Sequence, residues 1–276
     1  MYNMEQLGTE FSPELVELAN VVAAAGEMVR ASNITPSGVT DVPGKGLVTT
    51  ADIASDAYLQ TEIAKIYPGA PIVSEESGQA LDGQVIEAVI IDPIDGTRWR
   101  KDGGDLWTVT AAVVKGGELF QAVTYRPETG ELWYGQLGKG AYSLTLKGRK
   151  MLKTGSETKL EKVKVGVGAN MSSLATRKAM SGLLVGLVER SRGPYVLAST
   201  ALELAWVAQN IVLAADIHPH AKPWDTAAGK LFVNEAGGVA TGWNGNKDIF
   251  TPGLIAAANV VLYRQVLDLV NECYQE

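Results

Sequence analysis

The sequence predicts an α+β fold, because helical and antiparallel-strand patterns occupy different stretches of the chain. Near the N-terminus apolar residues recur at spacings of three and four, which indicates a helix with one buried face. Residues 107–142 instead carry short apolar runs separated by turn residues, the pattern of consecutive β-hairpins. With 276 residues, the chain is long enough for one large domain or two small ones.

The first elements are predicted to be two helices separated by a loop. Ser12 suits the N-cap of the first helix, and Pro13 suits its first position. Five proline and glycine residues within 35–46 predict an irregular loop. A short strand over 46–49 then leads into a second helix over about residues 52–67.

Strands and hairpins follow in the rest of the N-terminal half. The segment 89–91 is apolar enough to be a strand covered on both faces, and 71–74 is a shorter strand before it. One glycine pair and one proline-containing turn separate the later strands. Those strands are expected at 108–114, 119–125 and 132–134.

The C-terminal half changes to alternating strands and helices. The strands are expected at 163–167 and 195–198, and the helices at 174–189, at 200–213, from 223 onward and at 260–274. The polar stretch 147–161 separates the two patterns. We therefore expect an N-terminal α+β subdomain over 1–150 and a C-terminal α/β subdomain over 151–276.

Composition excludes several classes of function. The net charge is −7 without a basic block, which argues against a nucleic acid polymer as partner. Cys273 is the only cysteine, so neither an intrachain disulfide nor a thiolate metal site is possible. Residues 1–5 do not resemble a signal peptide, and no apolar run approaches the ~20 residues of a membrane span. We expect a soluble, cytoplasmic protein with no membrane partner.

Three separate segments place carboxylates where a strand or helix is expected to begin or end. Glu75 follows the first apolar strand, Asp92 and Asp95 follow the second, and Asp225 opens a helix after Trp224. Each segment also has an ordinary interpretation. Asp-Pro and Asp-Gly are common in turns, an aspartate favours a helix N-terminus, and a glutamate pair can be a solvated loop. Their combination favours a metal site.

The middle segment is the most informative of the three. Asp92 and Asp95 are three residues apart, and Pro93 favours a turn that directs both carboxylates to one side. Two carboxylates so close repel each other unless a cation lies between them, and oxygen ligands suit Mg²⁺ or Mn²⁺ rather than zinc. Gly96 and Thr97 add a backbone that can approach a phosphate closely and a hydroxyl group.

These motifs resemble the inositol monophosphatase superfamily, which includes fructose-1,6-bisphosphatases and 3′(2′),5′-bisphosphate nucleotidases. The resemblance covers nearly the whole chain, with the motifs in the order of the family. They are LVTTAD at 47–52, SEE at 74–76, DPIDGT at 92–97, GKGAY at 138–142, WDTAAG at 224–229 and EAGG at 235–238.

The resemblance implies a layered α-β-α-β-α sandwich, a homodimer, and hydrolysis assisted by two or three Mg²⁺ ions. Mn²⁺ is an expected substitute and Li⁺ an expected inhibitor. Glu75, Asp92 and the Ile94 carbonyl resemble the ligands of the first metal. Asp92, Asp95 and Asp225 resemble the ligands of the second.

The resemblance also implies catalytic and phosphate-binding residues. Glu75 and Thr97 resemble the pair that activates the attacking water, with Asp52 holding the Thr97 hydroxyl. The amides of Gly96 and Thr97 are expected to hold the phosphate.

Ser199, Thr200 and Ala201 align with the segment that lines the substrate pocket of the family. The hydroxyl groups of the first two are candidate donors to a substrate, although Thr200 is an equally good helix cap. His218 stands seven residues before Asp225, where inositol monophosphatases often have an acidic residue that binds a sugar hydroxyl. It is a candidate substrate contact, and a surface turn at 218–220 is the alternative.

Two further segments depart from the family pattern. After Thr97 the chain continues with Arg98, Trp99, Arg100 and Lys101, whose cations are candidates for binding a second acidic group of the substrate. The alternative is a set of solvated loop charges. The segment 41–46 also departs in spacing, which leaves a third-metal or lid role for Asp41 or Lys45 open.

The leading interpretation is therefore a Mg²⁺-dependent phosphomonoesterase of a small phosphorylated metabolite, such as inositol 1-phosphate or a related sugar or polyol phosphate. A bisphosphate nucleotidase or sugar bisphosphatase is the alternative within the same chemistry. A non-catalytic protein that binds metal or phosphate is a different class, against which Glu75, Thr97 and Asp225 argue.

Overall fold

The computed structural model describes residues 2–32, 38–42, 46–77, 85–168 and 173–274. Its contacts group the chain into two units, Met1–Met151 and Leu152–Glu276. Both units combine helices with a sheet of more than two strands, so the α+β class is confirmed. Within the described ranges, no helix is long and apolar enough to span a membrane.

The predicted hairpins of the first unit form a seven-stranded sheet. Its strands are β3 (Ile72–Ser74), β4 (Glu87–Asp95), β5 (Thr108–Lys115), β6 (Glu118–Arg126), β7 (Glu131–Gln136), β8 (Gly140–Thr145) and β9 (Gly148–Met151). They follow the order of the sequence across the sheet. Only β3 and β4 are parallel; every later pair is antiparallel.

The helices of the first unit are α1 (Met4–Leu7), α2 (Pro13–Ala31), α3 (Thr50–Ile66) and α4 (Thr97–Lys101). The two long helices, α2 and α3, pack on the sheet and share its apolar core. Ser12 caps α2 as predicted, because its hydroxyl accepts the amide of Leu15 at 3.4 Å.

The loop predicted over 35–46 is wrong in part. Val39–Val42 is a strand, β1, which pairs antiparallel with β2 (Gly46–Thr49). Two valines and a threonine give this segment a strand propensity that outweighs the neighbouring glycines and prolines. Residues 43–45, including Lys45, and the side chain of Asp41 lie outside the described part of the structure.

The second unit contains a mixed five-stranded sheet. Its strands are β10 (Val165–Val167), β11 (Pro194–Tyr195), β12 (Ala215–His218), β13 (Val239–Thr241) and β14 (Leu254–Ala257), in the order β11-β10-β12-β14-β13. The first three are parallel, and the last two run antiparallel to their neighbours.

Helices cover both faces of this second sheet. They are α5 (Leu174–Arg190), α6 (Thr200–Gln209), α7 (Pro223–Glu235) and α8 (Val260–Cys273). Ala215 and Ile217 of β12 belong to the apolar core under α5 and α8. Because side chains alternate along a strand, Asp216 and His218 point to the opposite face, where α6 packs. Two polar residues are thereby buried in the middle of the unit.

Two boundaries differ from the predictions in this half. The helix predicted to reach residue 213 ends at Gln209, because Asn210 takes a left-handed conformation (φ 57°) that terminates it. The strand predicted over 195–198 is limited to Pro194–Tyr195. Ala198 has a φ of 58°, which is incompatible with continuing a strand.

Candidate functional site

A β-bulge turns Asp92 and Asp95 to the same side of strand β4. In a regular strand, residues three apart face opposite sides of the sheet. Here Asp92 pairs with Thr110 and Asp95 with Thr108, so three steps on β4 match two on β5. The extra residue restores a common side, and the structure corrects the predicted turn at Pro93 to a bulge. Proline suits this position because it has no amide to donate to the ladder.

The two carboxylates, which we call the aspartate pair, lie close together and are buried. Oxygen atoms of Asp92 and Asp95 approach within 4.8 Å of each other. The Ile94 amide donates to Asp92 Oδ1 at 2.9 Å, and the Thr108 hydroxyl donates to Asp95 Oδ2 at 3.3 Å. Thr108 escaped the sequence analysis, because a threonine at the start of a strand carries no distinguishing signal. The pair can accept a hard cation with few rearrangements.

A hydroxyl group lies beside the aspartate pair. Thr97 Oγ1 is 3.3 Å from Asp52 Oδ1 and 2.9 Å from the Ile94 carbonyl oxygen. A hydroxyl has one proton to donate, so it can serve only one of these acceptors at a time. The arrangement links Asp52, at the start of α3, to the first residue of α4, the short helix that follows β4.

Asp52 is almost fully buried, and burial raises its pKa to about 6. Hydrogen bonds from the side chain and amide of Thr49 oppose that shift, since they favour the ionised form. The same contacts form a capping box at the start of α3. Asp52 therefore stabilises the helix and also accepts the Thr97 hydroxyl.

Glu75 follows β3, the strand parallel to β4. The amide of Glu75 donates to the carbonyl of Ile91 at 3.4 Å, which fixes its backbone beside the end of the apolar part of β4. Its side chain is half-buried. The carboxyl ends of the two parallel strands thus bring Glu75 and Asp92 to the same edge of the sheet.

Asp225 lies in the second unit, in the first turn of α7. Its Oδ2 accepts the amide of Lys222 at 2.6 Å, so it caps the helix that Pro223 opens. This is the ordinary structural role considered for it in the sequence.

The cations after Thr97 have different partners. Arg100 Nη2 donates to the carbonyls of Val29 at 2.8 Å and Ser32 at 2.6 Å, at the end of α2. Its role is therefore to cap that helix rather than to serve as a solvated loop charge. Lys101 pairs with Asp102 at 2.8 Å. Arg98 is exposed, and it remains the candidate contact to a second acidic group. Gly96 has a φ of 84°, a conformation that favours glycine.

A second polar cluster lies inside the second unit. Glu203 of α6 and Asp216 and His218 of β12, which we call the histidine cluster, are all buried. The surface turn considered at 218–220 is therefore wrong for His218. Neither Glu203 nor Asp216 was predicted, although a single charge in the apolar helix sequence 200–209 was an available signal.

The pocket residues near the start of α6 have specific places. Ser199 occupies the N-cap position, whereas Thr200 is the first residue of the helix. The cap alternative for Thr200 is therefore wrong. Its hydroxyl instead lies 3.2 Å from His218 Nδ1. Ser199 and Ala201 are fully buried.

The pKa values of two residues in the histidine cluster are raised, for different reasons. Burial raises the pKa of Glu203 to about 7, and repulsion from Asp216 adds to that shift. Burial by itself would lower the pKa of His218, but attraction to Asp216 and the close contacts with both carboxylates raise it well above its ordinary value.

Comparison with known proteins agrees with this geometry. The sequence profile of the inositol monophosphatase family matches residues 13–275. The chain belongs to the inositol monophosphatase family. Its members are metal-dependent, and the acidic cluster of this chain fits that property.

Several relatives support the assignment over most of their length. An inositol-1-monophosphatase of Mesorhizobium japonicum is 30% identical over 82% of this chain and 83% of its own. The Nus factor SuhB of Haemophilus influenzae is 29% identical over 92% of this chain and 91% of its own. The solved structure of a Thermotoga maritima IMPase superposes with a TM-score of 0.79 at 25% identity, covering 92% of this chain and 95% of that one. The layered fold of the family is thereby confirmed.

Proposed function

We propose that this protein is a Mg²⁺-dependent phosphomonoesterase that hydrolyses a small phosphorylated metabolite, such as inositol 1-phosphate or a related sugar or polyol phosphate. The observation that carries the proposal is the β-bulge, which directs Asp92 and Asp95 to one side next to the Thr97 hydroxyl. A bulge that aims two buried carboxylates together is unfavourable for an ordinary strand and useful for a cation. Family membership supports the same reaction class.

The residues present fit hard divalent ions. We assign Glu75, Asp92 and the Ile94 carbonyl to one ion, and Asp92, Asp95 and Asp225 to another; a third ion is compatible with the family. When bound, such ions lower the pKa of a water molecule and neutralise charge on the phosphate. Every proposed ligand is an oxygen atom, which favours Mg²⁺, with Mn²⁺ as a substitute. Li⁺ is proposed as an inhibitor.

Thr97 and Glu75 are proposed to hold the attacking water. If the Ile94 carbonyl is engaged by a cation, the Thr97 hydroxyl is left to donate to Asp52, its other neighbour. The Thr97 oxygen can then accept a hydrogen bond from the water molecule, and as it takes up the proton of the water, the hydroxyl passes its own proton to Asp52. Asp52 must be ionised for this role.

The substrate contacts are proposed from the resemblance to the family. The amides of Gly96 and Thr97 are assigned to the phosphate, and Arg98 to a further acidic group. The remaining candidates all belong to the second unit and are Ser199, Thr200, Ala201 and His218. Both ring nitrogens of His218 already contact protein groups. We therefore propose that His218 orients the Thr200 hydroxyl, in preference to binding the substrate directly. A homodimer in the cytoplasm is proposed from the family.

Two other functions have specific support. The exposed Arg98 favours a substrate with a second phosphate, as in a bisphosphate nucleotidase or sugar bisphosphatase. Several relatives are named Nus factor SuhB, which supports a role in binding a protein or nucleic acid partner. The net charge of −7 favours a protein partner over a nucleic acid.

A phosphate-release screen with and without Mg²⁺ tests the proposal. The panel contains inositol 1-phosphate, fructose 1,6-bisphosphate, adenosine 3′,5′-bisphosphate and histidinol phosphate. We expect Mg²⁺-dependent release from at least one compound. Preference for a bisphosphate would favour the alternative substrate class, and no release from any phosphomonoester would contradict the enzyme assignment.

A further inference from the structure

The second unit contains a buried imidazole between two carboxylates. These residues lie on α6 and β12, which carry none of the magnesium ligands proposed above. We propose that the histidine cluster, Glu203, Asp216 and His218, is a separate metal site for a divalent transition ion, with Zn²⁺ as the best match. The assignment rests on the geometry of the cluster, its unpaired oxygen atoms and its ligand types.

The three ligand atoms are already spaced as a small metal ion requires. His218 Nε2 lies 3.0 Å from Asp216 Oδ1 and 3.0 Å from Glu203 Oε2. All three residues offer ligand atoms within 4.8 Å of one another. Ligands held about 2.0–2.1 Å from a tetrahedral zinc ion are separated by roughly 3.3 Å, close to the two distances that the imidazole nitrogen makes with the carboxylates.

Protein contacts leave the carboxylates incompletely satisfied. Of the two contacts that His218 Nε2 makes with these carboxylates, only the one with Asp216 has hydrogen-bond geometry. Among the described residues, Glu203 Oε2 and Asp216 Oδ2 are buried side-chain oxygens with no hydrogen-bond partner. Glu203 and Asp216 are both fully buried, where an unpaired carboxylate oxygen is costly. One imidazole proton cannot serve both residues, whereas a cation can bind both.

The charges also balance around a divalent ion. Two carboxylates carry two negative charges, and a divalent ion bound with a neutral imidazole gives a neutral buried site. A nitrogen ligand favours zinc over magnesium, which prefers oxygen ligands and retains several waters. The same residue types therefore discriminate this cluster from the all-oxygen aspartate pair.

Neighbouring groups hold the ligands in orientation. The Thr200 hydroxyl lies 3.2 Å from His218 Nδ1, the second ring nitrogen. The amide of Leu197 donates to Glu203 Oε1 at 3.1 Å, which leaves Oε2 directed at the imidazole. Such outer contacts fix the tautomer and direction of metal-bound histidines. The ligands stand on α6 and β12, so their backbone positions are set by regular structure.

The test is zinc binding by the full-length Asp95→Asn protein, which serves as the parent for the other variants. The substitution disables the proposed magnesium site, and excess Mg²⁺ competes with zinc for any remaining oxygen ligands. We expect one equivalent of tightly bound zinc, measured by calorimetry and by metal content after gel filtration. His218→Gln and Asp216→Asn should each weaken binding at least tenfold. The matched control, His220→Gln, replaces the neighbouring histidine and should bind like its parent.

Circular dichroism checks that each variant folds. If a variant of the cluster fails to fold, a spectroscopic measurement on the parent tests the site without substituting any of its ligands. X-ray absorption of the zinc-loaded parent should show one imidazole and the remaining ligands as oxygen atoms. A folded parent that retains no zinc would overturn the proposal. So would unchanged affinity in folded His218→Gln, or a zinc environment without an imidazole. The outcome does not depend on phosphatase activity.

Discussion

The aspartate pair and the histidine cluster solve the same problem, the burial of two carboxylates, in different ways. Asp92 and Asp95 are brought together by a bulge in one strand and receive hydroxyl and amide donors. Asp216 and Glu203 come from a strand and a helix and face an imidazole. The first arrangement brings two like charges together, which a bound cation would stabilise, whereas the second places a basic imidazole between its two carboxylates. The contrast predicts that the aspartate pair determines catalysis, whereas the histidine cluster contributes mainly to stability.

Thr97→Ala gives the largest expected effect at the first site. Loss of the hydroxyl should lower kcat by about 10²–10⁴-fold, the usual range for a proton-transfer group. Mg²⁺ affinity should change little, because Thr97 is not a proposed ligand. Steady-state phosphate release and Mg²⁺ titrations check both statements.

Thr97→Ser is the matched control, since it keeps the hydroxyl near Asp52. Recovery of most activity supports the assigned role. An alanine variant with nearly full activity would remove Thr97 from the mechanism and leave the aspartate pair without its neighbouring base.

Substitutions in the histidine cluster should affect the free energy of unfolding more than substitutions in the aspartate pair. In the absence of metal, Asp216→Asn should lower the free energy of unfolding by about 3 kcal/mol, because it leaves the buried cluster incompletely paired. Asp95→Asn should leave it unchanged or raised, since it removes repulsion from Asp92. Urea unfolding of both variants beside wild type measures the difference. Equal losses in the two would contradict the contrast.

A third case in the second unit is Lys230 of α7, a buried basic group that makes no hydrogen bond to a carboxylate in the described part of the structure. Its Nζ is a buried donor lacking a hydrogen-bond partner within the described ranges. Burial lowers the pKa of Lys230 from 10.5 to about 8, and attraction to Asp248 offsets only part of that shift. The charged amine is therefore unfavourable in the folded state at neutral pH.

Lys230→Met should raise the free energy of unfolding at pH 7 by up to about 3 kcal/mol. The sign follows from proton uptake: between about pH 8 and 10.5 the unfolded lysine holds a proton that the folded one has released, so wild-type stability rises with pH. The advantage of the variant should shrink across that window. Tyrosine side chains also titrate at alkaline pH, in both proteins. Subtracting the free energy of unfolding of one protein from that of the other removes their contribution. A constant difference would contradict the buried charge.

The smallest effect is expected at Arg98. Arg98→Gln should raise KM for a bisphosphate by about two- to fivefold, as an exposed ion pair contributes at most about 1 kcal/mol. The KM for a monophosphate should be unchanged. Lys101→Gln is the control, because its charge is paired with Asp102. Equal shifts for both substrate types would exclude recognition of a second acidic group by Arg98.

The aspartate pair was predictable because its parts are local. Asp92, Pro93 and Asp95 occupy one short segment after an apolar run, and together with the carboxylates of the two other segments they predict a metal site. The bulge itself was not predictable, since it depends on the register with Thr108 and Thr110 of the next strand.

The histidine cluster could not be predicted in the same way. Glu203 of α6 lies thirteen positions before Asp216 of β12, and only packing brings the helix residue to the strand residues. The β12 sequence alternates apolar and polar residues, which usually indicates one solvated face. Here that face is buried under α6, so the polar residues look like surface residues in the sequence.

The most direct test of the account is Mg²⁺-dependent phosphate release by wild type, Asp95→Asn and Asp102→Asn, measured side by side on the best substrate of the screen. Asp102 is the matched control, because it follows the same loop and pairs on the surface with Lys101. We predict a loss of at least about 10²-fold in Asp95→Asn, comparable to removing one preorganised electrostatic group, and none in Asp102→Asn. Full Mg²⁺-dependent activity in folded Asp95→Asn would contradict the assignment of the aspartate pair.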